Sequence, residues 1–150
     1  MPNSTHRAPH SVTLPVRWSD FDRYGHVNNA VYLDYSQEAR YRVLVDGMDG
    51  AEVPMSVARN VSIDFLRPIL PGTREIIIDT EITDCGRTSY TMVQTLRTSA
   101  DDIVAKVTTV LVVIDGTTLR PVEVTPAAKA MLQNFATKEL TRGDSGETAS

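Results

Sequence analysis

From residue 56 onward the chain alternates. In SVARNVSIDFL, REIIIDTEITDC, TSYTMVQTLRT and DIVAKVTTVLVVID, residues rich in Val, Ile and Thr recur with a period near two, as one face of a β-strand requires. RPILPG, CGR and SADD separate these runs as turns, and the brevity of CGR and SADD predicts antiparallel hairpins. Residues 30–46, AVYLDYSQEARYRVLVD, follow another rule. Val31, Tyr32, Tyr35, Ala39, Val43 and Leu44 recur close to helical spacing, with neither Gly nor Pro among them. At ~1.5 Å per residue such a helix is roughly 25 Å long, and Gly47 is its expected stop. SVTLPVRW ahead of it reads as a first strand, with Pro15 placing it near an edge or a bulge. PAAKAMLQNF reads as a short closing helix, capped by Thr125 with Pro126 in its first turn.

One strand, one long helix and four consecutive strands predict an α+β domain, an antiparallel sheet with one main helix. VTTVLVVID is apolar at nearly every position, which predicts burial on both faces and favours a dimer. Residues 1–11 and 138–150 are polar and weakly patterned and read as flexible tails around one domain, residues 12–137.

A chain of 150 residues is long enough for a hydrophobic core of its own. A formal charge of −4 and a pI near 5.3 argue against a nucleic-acid partner, whose phosphates favour a basic surface. Cys85 is the only cysteine, so an intrachain disulfide is excluded and a cysteine metal site is not expected. MPNSTHRAPHSV lacks the apolar stretch of a signal peptide and no apolar run reaches membrane-spanning length, so the expected compartment is the cytoplasm.

The candidate chemistry sits at the start of the long helix, in DFDRYGHVNNAVY. Asn28 or Asn29 suits a helix cap, its side-chain oxygen accepting from a free N–H of the first turn. Gly25 permits a sharp turn into the helix. A helix N-terminus presents unpaired N–H groups and partial positive charge, and if the loop lies across those donors the Asp22 carboxylate is within reach of whatever they polarise. A nucleophile or base beside oxyanion donors is what acyl transfer to water requires. Asp20 reads as structural, because a second carboxylate nearby raises the cost of ionising both. The D-x-D spacing lacks further acidic ligands, so no metal is expected. Glu38 and Arg40 read as a pair on the helix, Glu38 also as an outside candidate for orienting water. Tyr32 and Tyr35 read as core or interface positions.

RWSDFDRYGHVNNAVYLDYSQEAR resembles the signature of the hotdog-fold thioesterases, in the 4-hydroxybenzoyl-CoA thioesterase-like branch that also resembles plant acyl-ACP thioesterases. FLRPILPG and DCGRTSY are similar to later segments of that family, and the resemblance covers roughly residues 12–125. It implies a hotdog fold, a sheet wrapped around a central helix. It implies that Asp22 is the catalytic carboxylate, attacking the thioester or activating water. The Asn29 N–H would polarise the carbonyl, and His26 would assist proton transfer. Tyr24, Gly25, Asn28 and Tyr32 would line the substrate site, although Tyr24 stands where the plant branch has asparagine. Arg87, Thr88 and Ser89 would contact the nucleotide end of CoA, as arginine suits phosphate.

The expected function is therefore hydrolysis of an acyl-CoA to free acid and CoA, with no metal or organic cofactor, by a homodimer or homotetramer with its cleft at the subunit interface. The alternatives are an acyl-CoA-binding hotdog protein without catalysis and an acyl-carrier-protein thioesterase. A hotdog hydratase fits poorly, since its aspartate and histidine stand in a different motif.

Overall fold

The computed structural model describes residues 9–48 and 54–140. Strand β1 (His10–Pro15) leads through a short 3-10 turn at Trp18–Asp20 into helix α1 (Asn29–Met48). Strands β2 (Ser56–Phe65), β3 (Glu75–Cys85), β4 (Ser89–Arg97) and β5 (Ile103–Val113) follow, and helix α2 (Pro126–Gln133) closes the order. All five strands form one antiparallel sheet in the order β1-β3-β4-β5-β2. This is the expected α+β architecture. The two tight turns do join antiparallel neighbours, β3 to β4 and β4 to β5. Pro15 ends β1 at one edge of the sheet, where its missing N–H costs no inner ladder bond.

The alternation in sequence becomes two faces. Ile76, Ile78, Thr80 and Ile82 of β3 lie beside Tyr90, Met92, Gln94 and Leu96 of β4, all buried. On β5 the same face carries Val107, Thr109, Leu111 and Val113. Helix α1 turns Tyr32, Tyr35, Ser36, Ala39 and Val43 to this face, at spacings of three and four. The contact is not purely apolar. Ser36 Oγ donates to Gln94 Oε1, while Gln94 Nε2 is 3.0 Å from Ser36 O and 3.1 Å from Thr80 Oγ1. A wholly buried glutamine is tolerable here because its neighbours satisfy it.

The closing helix has the cap expected of it, with Ala128 N–H donating to Thr125 Oγ1 at 3.1 Å. Its Ala128, Met131 and Leu132 are buried, the latter two over Ile82, Tyr90 and Leu111. Several boundaries differ from the sequence expectations. Helix α1 runs one residue past Gly47. His10 and Ser11 belong to β1, not to a tail. At the other end Leu140 is buried, and its N–H donates to Gln133 Oε1 at 2.7 Å, so residues 138–140 pack onto α2. The remainder of both expected tails lies outside the described residues. Glu38 pairs with Arg42 at 3.2 Å rather than with Arg40, because residues four apart share a helix face and residues two apart do not.

The outer face of β5 is only partly covered: Val104 and Val112 are buried there, Thr108 and Val110 half-buried and Lys106 exposed. The strand is interior, between β4 and β2, and the chain folds back along its end, with Val122 N–H donating to Val113 O at 2.9 Å. The uncovered apolar positions lie instead on β2, the opposite edge from β1. Helix α1 lies closest to β1 and β3. As a result Val61 is 43 % and Phe65 48 % exposed. Among the described residues, no helix is long and apolar enough to cross a membrane.

Candidate active site

The segment between β1 and α1 is closed by Asp20. Its carboxylate accepts from Arg17 N–H at 2.9 Å, from Arg17 Nη2 at 3.1 Å and from the Tyr35 hydroxyl at 2.7 Å. Its backbone carbonyl accepts from Asn28 N–H at 2.9 Å. One buried residue thus holds the beginning of the loop, its end and the second turn of α1. Burial alone would push the Asp20 carboxyl up, but the bonds from Arg17 and Tyr35 outweigh it and hold the group below the usual carboxylate range. The Tyr35 phenol is raised, first by burial and then by the adjacent carboxylate.

Between those anchors Asp22 N–H donates to His26 O at 2.8 Å and Gly25 N–H to Asp22 O at 3.0 Å. Gly25 has φ of +80°, a left-handed backbone conformation that favours glycine. The turn uses one oxygen of Asp22: Oδ1 accepts from Tyr24 N–H at 2.9 Å and His26 N–H at 3.3 Å. The other oxygen, Oδ2, has no hydrogen-bond partner among the described residues. A carboxylate oriented by its backbone and left with one open oxygen is placed to act as base or nucleophile.

Asn28 caps α1, its Oδ1 accepting from Ala30 N–H at 3.0 Å. Val31 N–H turns back to Asn28 O at 2.9 Å. The N–H of Asn29, the first helical residue, has no partner among the described residues, so it keeps a donor at the positive end of a 20-residue helix.

Asp22, His26, Asn28, Asn29 and Tyr32 line one cleft of about 440 Å³. Its far wall is Phe65, Leu66, Arg67 and Pro68, where β2 ends. Tyr32 is buried, its hydroxyl accepts from Ile69 N–H at 3.3 Å, and its ring meets Phe65 edge-on at 5.1 Å. The far wall was not among the residues picked out in the sequence. Its only signal there is that FLRP resembles a family segment, which assigns it no role.

Other expected site residues fall elsewhere. Gly25 shapes the turn without lining the cleft. Tyr24 is 77 % exposed with the Arg23 guanidinium 5.9 Å from its ring, and it stands outside the cleft lining. Arg87 and Thr88 lie in the β3–β4 turn and Ser89 begins β4, next to the start of β2, whereas the cleft is at the end of β2. Strands of nine to eleven residues separate the two ends by roughly 30 Å. Within one chain this turn does not reach the cleft; Arg87 pairs with Glu123 at 3.2 Å. Among the described residues no three His, Cys, Asp or Glu side chains cluster as a metal site would need.

The sheet order and the helix it wraps define a hotdog fold, shared with solved thioesterases. A thioesterase from Thermus thermophilus, solved with coenzyme A and Zn, is 31% identical and superposes with a TM-score of 0.77 over 88% of this chain and 98% of its own. The probable thioesterase YbaW from Escherichia coli is 23% identical with a TM-score of 0.71, over 84% of this chain and 98% of that one, a likeness of fold. The thioesterase-like superfamily model matches residues 16–132, and the chain belongs to that family. Acyl-acyl carrier protein thioesterase ATL2 of Arabidopsis thaliana, a chloroplastic protein, is 34% identical over 73 residues. The match spans 45% of this chain and only 39% of that relative.

The Asp20 anchor makes a pH-dependent prediction. Asp20→Asn should cost about 1.5–3 kcal/mol at neutral pH, the usual worth of hydrogen bonds to a charged group. Because the folded pKa lies below the ordinary 3.8, wild type keeps this advantage above that value and loses it as pH falls through the folded pKa. Urea unfolding of both proteins across the acid range should show a stability gap that is flat near neutrality and closes in strong acid. A gap that stays constant into strong acid, or is absent at neutrality, contradicts the assignment.

Proposed function

We propose that this cleft hydrolyses acyl-CoA thioesters. The observation that carries the proposal is the pairing, in one cleft, of an oriented carboxylate with an open oxygen and an unpaired helix-start N–H. The thioester carbonyl oxygen accepts from Asn29 N–H, where the helix end favours developing negative charge. Asp22 Oδ2 then attacks the carbonyl carbon, forming an anhydride that water cleaves, or takes a proton from the attacking water. Either route breaks the C–S bond, consumes one water and yields the free acid and the thiol. His26, exposed at the mouth, is suited to pass a proton toward the departing sulfur. The proposed steps use the Asp22 and His26 side chains, the Asn29 main-chain N–H and water, without a metal or organic cofactor. Membership of the thioesterase-like superfamily and the similarity to a thioesterase solved with coenzyme A support this choice. An acyl-carrier-protein thioester is the second reading, favoured by the identity to ATL2 over 73 residues.

We further propose that the working unit contains a pair of chains joined edge to edge along β2. That strand ends the sheet, so its outer backbone groups lack strand partners, and Val57, Val61 and Phe65 are exposed along it. Antiparallel pairing of two β2 strands would set the start of one beside the end of the other. The 87–89 turn of the second copy then approaches the end of the sheet that carries the first copy's cleft. The Arg87–Glu123 pair is solvent-exposed on both sides, weak enough for a CoA phosphate to displace.

Thiol release should be measured on a panel of acyl-CoAs and acyl carrier proteins. Asp22→Asn keeps an acceptor for Tyr24 and His26 N–H, so it should fold normally while kcat falls roughly 10²–10⁴-fold. Asn29→Pro removes the donor at a position where a helix tolerates proline, and should lower kcat about 10²–10³-fold. Near-wild-type turnover in Asp22→Asn would refute the mechanism; preference for the carrier protein would select the second reading. Sedimentation equilibrium should give twice the 16.5 kDa chain mass or a multiple of it, and a monomer at micromolar concentration would refute the pairing.

A further inference from the structure

We infer that Arg67 makes the cleft select thioesters whose acyl group itself carries a carboxylate, the monothioesters of dicarboxylic acids. The inference rests on the proposed thioester substrate and names the class of its acyl part.

The far wall of the cleft is built from neighbours in sequence that are not alike. Phe65, Leu66 and Pro68 offer carbon surface, whereas Arg67 is the only arginine or lysine among the described residues that line the cleft. Its main chain is fixed, since Leu66 N–H and Arg67 N–H both donate to Val104 O, at 2.9 and 3.1 Å. Its side chain is held by far less. The side chain is 66 % exposed, and among the described residues its one polar contact is Nη1 to Asp102 Oδ1 at 3.2 Å. An ion pair this exposed is weak. Asp102 does not depend on it: its other carboxylate oxygen accepts from the Thr98 hydroxyl, and its carbonyl accepts from Thr98 N–H at 3.0 Å. The guanidinium can therefore leave Asp102 without stranding that carboxylate. The partner it already accepts is a carboxylate, so an anionic group of the same kind on the substrate replaces like with like, in the planar two-point geometry that suits arginine.

The position of Arg67 decides which part of the substrate brings that group. Arg67 shares a cleft of about 440 Å³ with Asp22 and Asn29, the residues proposed to meet the thioester carbonyl. The phosphates of CoA stand a whole pantetheine arm beyond the sulfur. A cation lining the same small cleft as the reacting carbonyl meets what is bonded next to it, the acyl chain on one side and the uncharged start of the pantetheine arm on the other. Only the acyl chain can bring a negative charge there. Such a charge beside Asp22 alone would be repelled, and Arg67 supplies the opposite sign that admits it.

The test is binding, so that it does not depend on catalysis. Pairs of non-hydrolysable CoA thioethers of equal chain length, one ending in a methyl group and one in a carboxylate, are titrated by calorimetry into wild type, Arg67→Gln and Asp102→Asn. Over a series of chain lengths, wild type should bind the best carboxylate-ended member roughly tenfold more tightly than its methyl-ended twin. Arg67→Gln should lose that preference by weakening the carboxylate-ended member alone. Asp102→Asn, which releases the guanidinium, should widen it. Equal affinity for both members of every pair in wild type overturns the inference. So does a parallel loss for both members in Arg67→Gln, which would mean that Arg67 reads the CoA phosphates. If the preference appears while wild type releases no thiol from the corresponding thioesters, the charge selection stands and the hydrolytic proposal fails. Thiol release without the preference keeps the hydrolytic proposal and overturns the role of Arg67.

Discussion

Asp20 fixes where helix α1 begins, its carbonyl holding Asn28 N–H and its carboxylate holding Arg17 and Tyr35, and the site depends on that. Only 2 % of the residue is exposed, yet every strong interaction it makes reaches a different part of the segment: Arg17 before the loop, Asn28 after it and Tyr35 on the helix. A helix start displaced by one residue would rotate the first donor by about 100° around the axis. The Asn29 N–H, on a residue that lines the cleft with Asp22, would then point in another direction. A fully satisfied buried charge costs desolvation, but removing any partner leaves it uncompensated, so the network tolerates few alternative loop conformations.

Asp20 and Asp22 show how two residues of one type, two positions apart, are given different work by their surroundings. Asp20 is surrounded by donors and holds a fixed ionised state. Asp22, which lines the cleft, gives one oxygen to the turn that orients it and keeps the other without a hydrogen-bond partner among the described residues. The turn that orients Asp22 in turn needs the left-handed backbone of Gly25. The placement of the proposed catalytic carboxylate thus derives from main-chain hydrogen bonds of a tight loop, which are cheap to specify within a short stretch of sequence. The donor proposed for the oxyanion, Asn29 N–H, is likewise a backbone group, set by the cap at Asn28 rather than by any side chain of its own.

That local origin explains what the sequence made legible. The loop, the cap, the positive-φ glycine and the helix all arise from neighbours within about twenty positions, and the four long strands announce themselves by alternation. Phe65 and Arg67 entered the cleft from forty residues away, through the crossing of β2 and the bend after it, which no spacing in the helix motif encodes. The apolar run of β5 suggested burial on both faces, yet Thr108 and Val110 on its outer face are only half-buried; the exposed apolar row is on β2, whose pattern looks like that of any half-buried strand. Leu140 lay in a polar stretch, where a single apolar residue that packs onto α2 carries little periodic signal. The 87–89 turn was recognisable as a motif, while its position at the far end of the sheet follows only from strand order.

The central claim is that one cleft presents Asn29 N–H to the thioester oxygen and Asp22 to its carbon. A crystal structure of Asp22→Asn soaked with a slowly turned-over acyl-CoA tests it most directly. The account predicts the carbonyl oxygen within hydrogen-bond distance of Asn29 N, with the side chain at position 22 beside the carbonyl carbon. An acyl-CoA bound with its thioester away from both groups would contradict it.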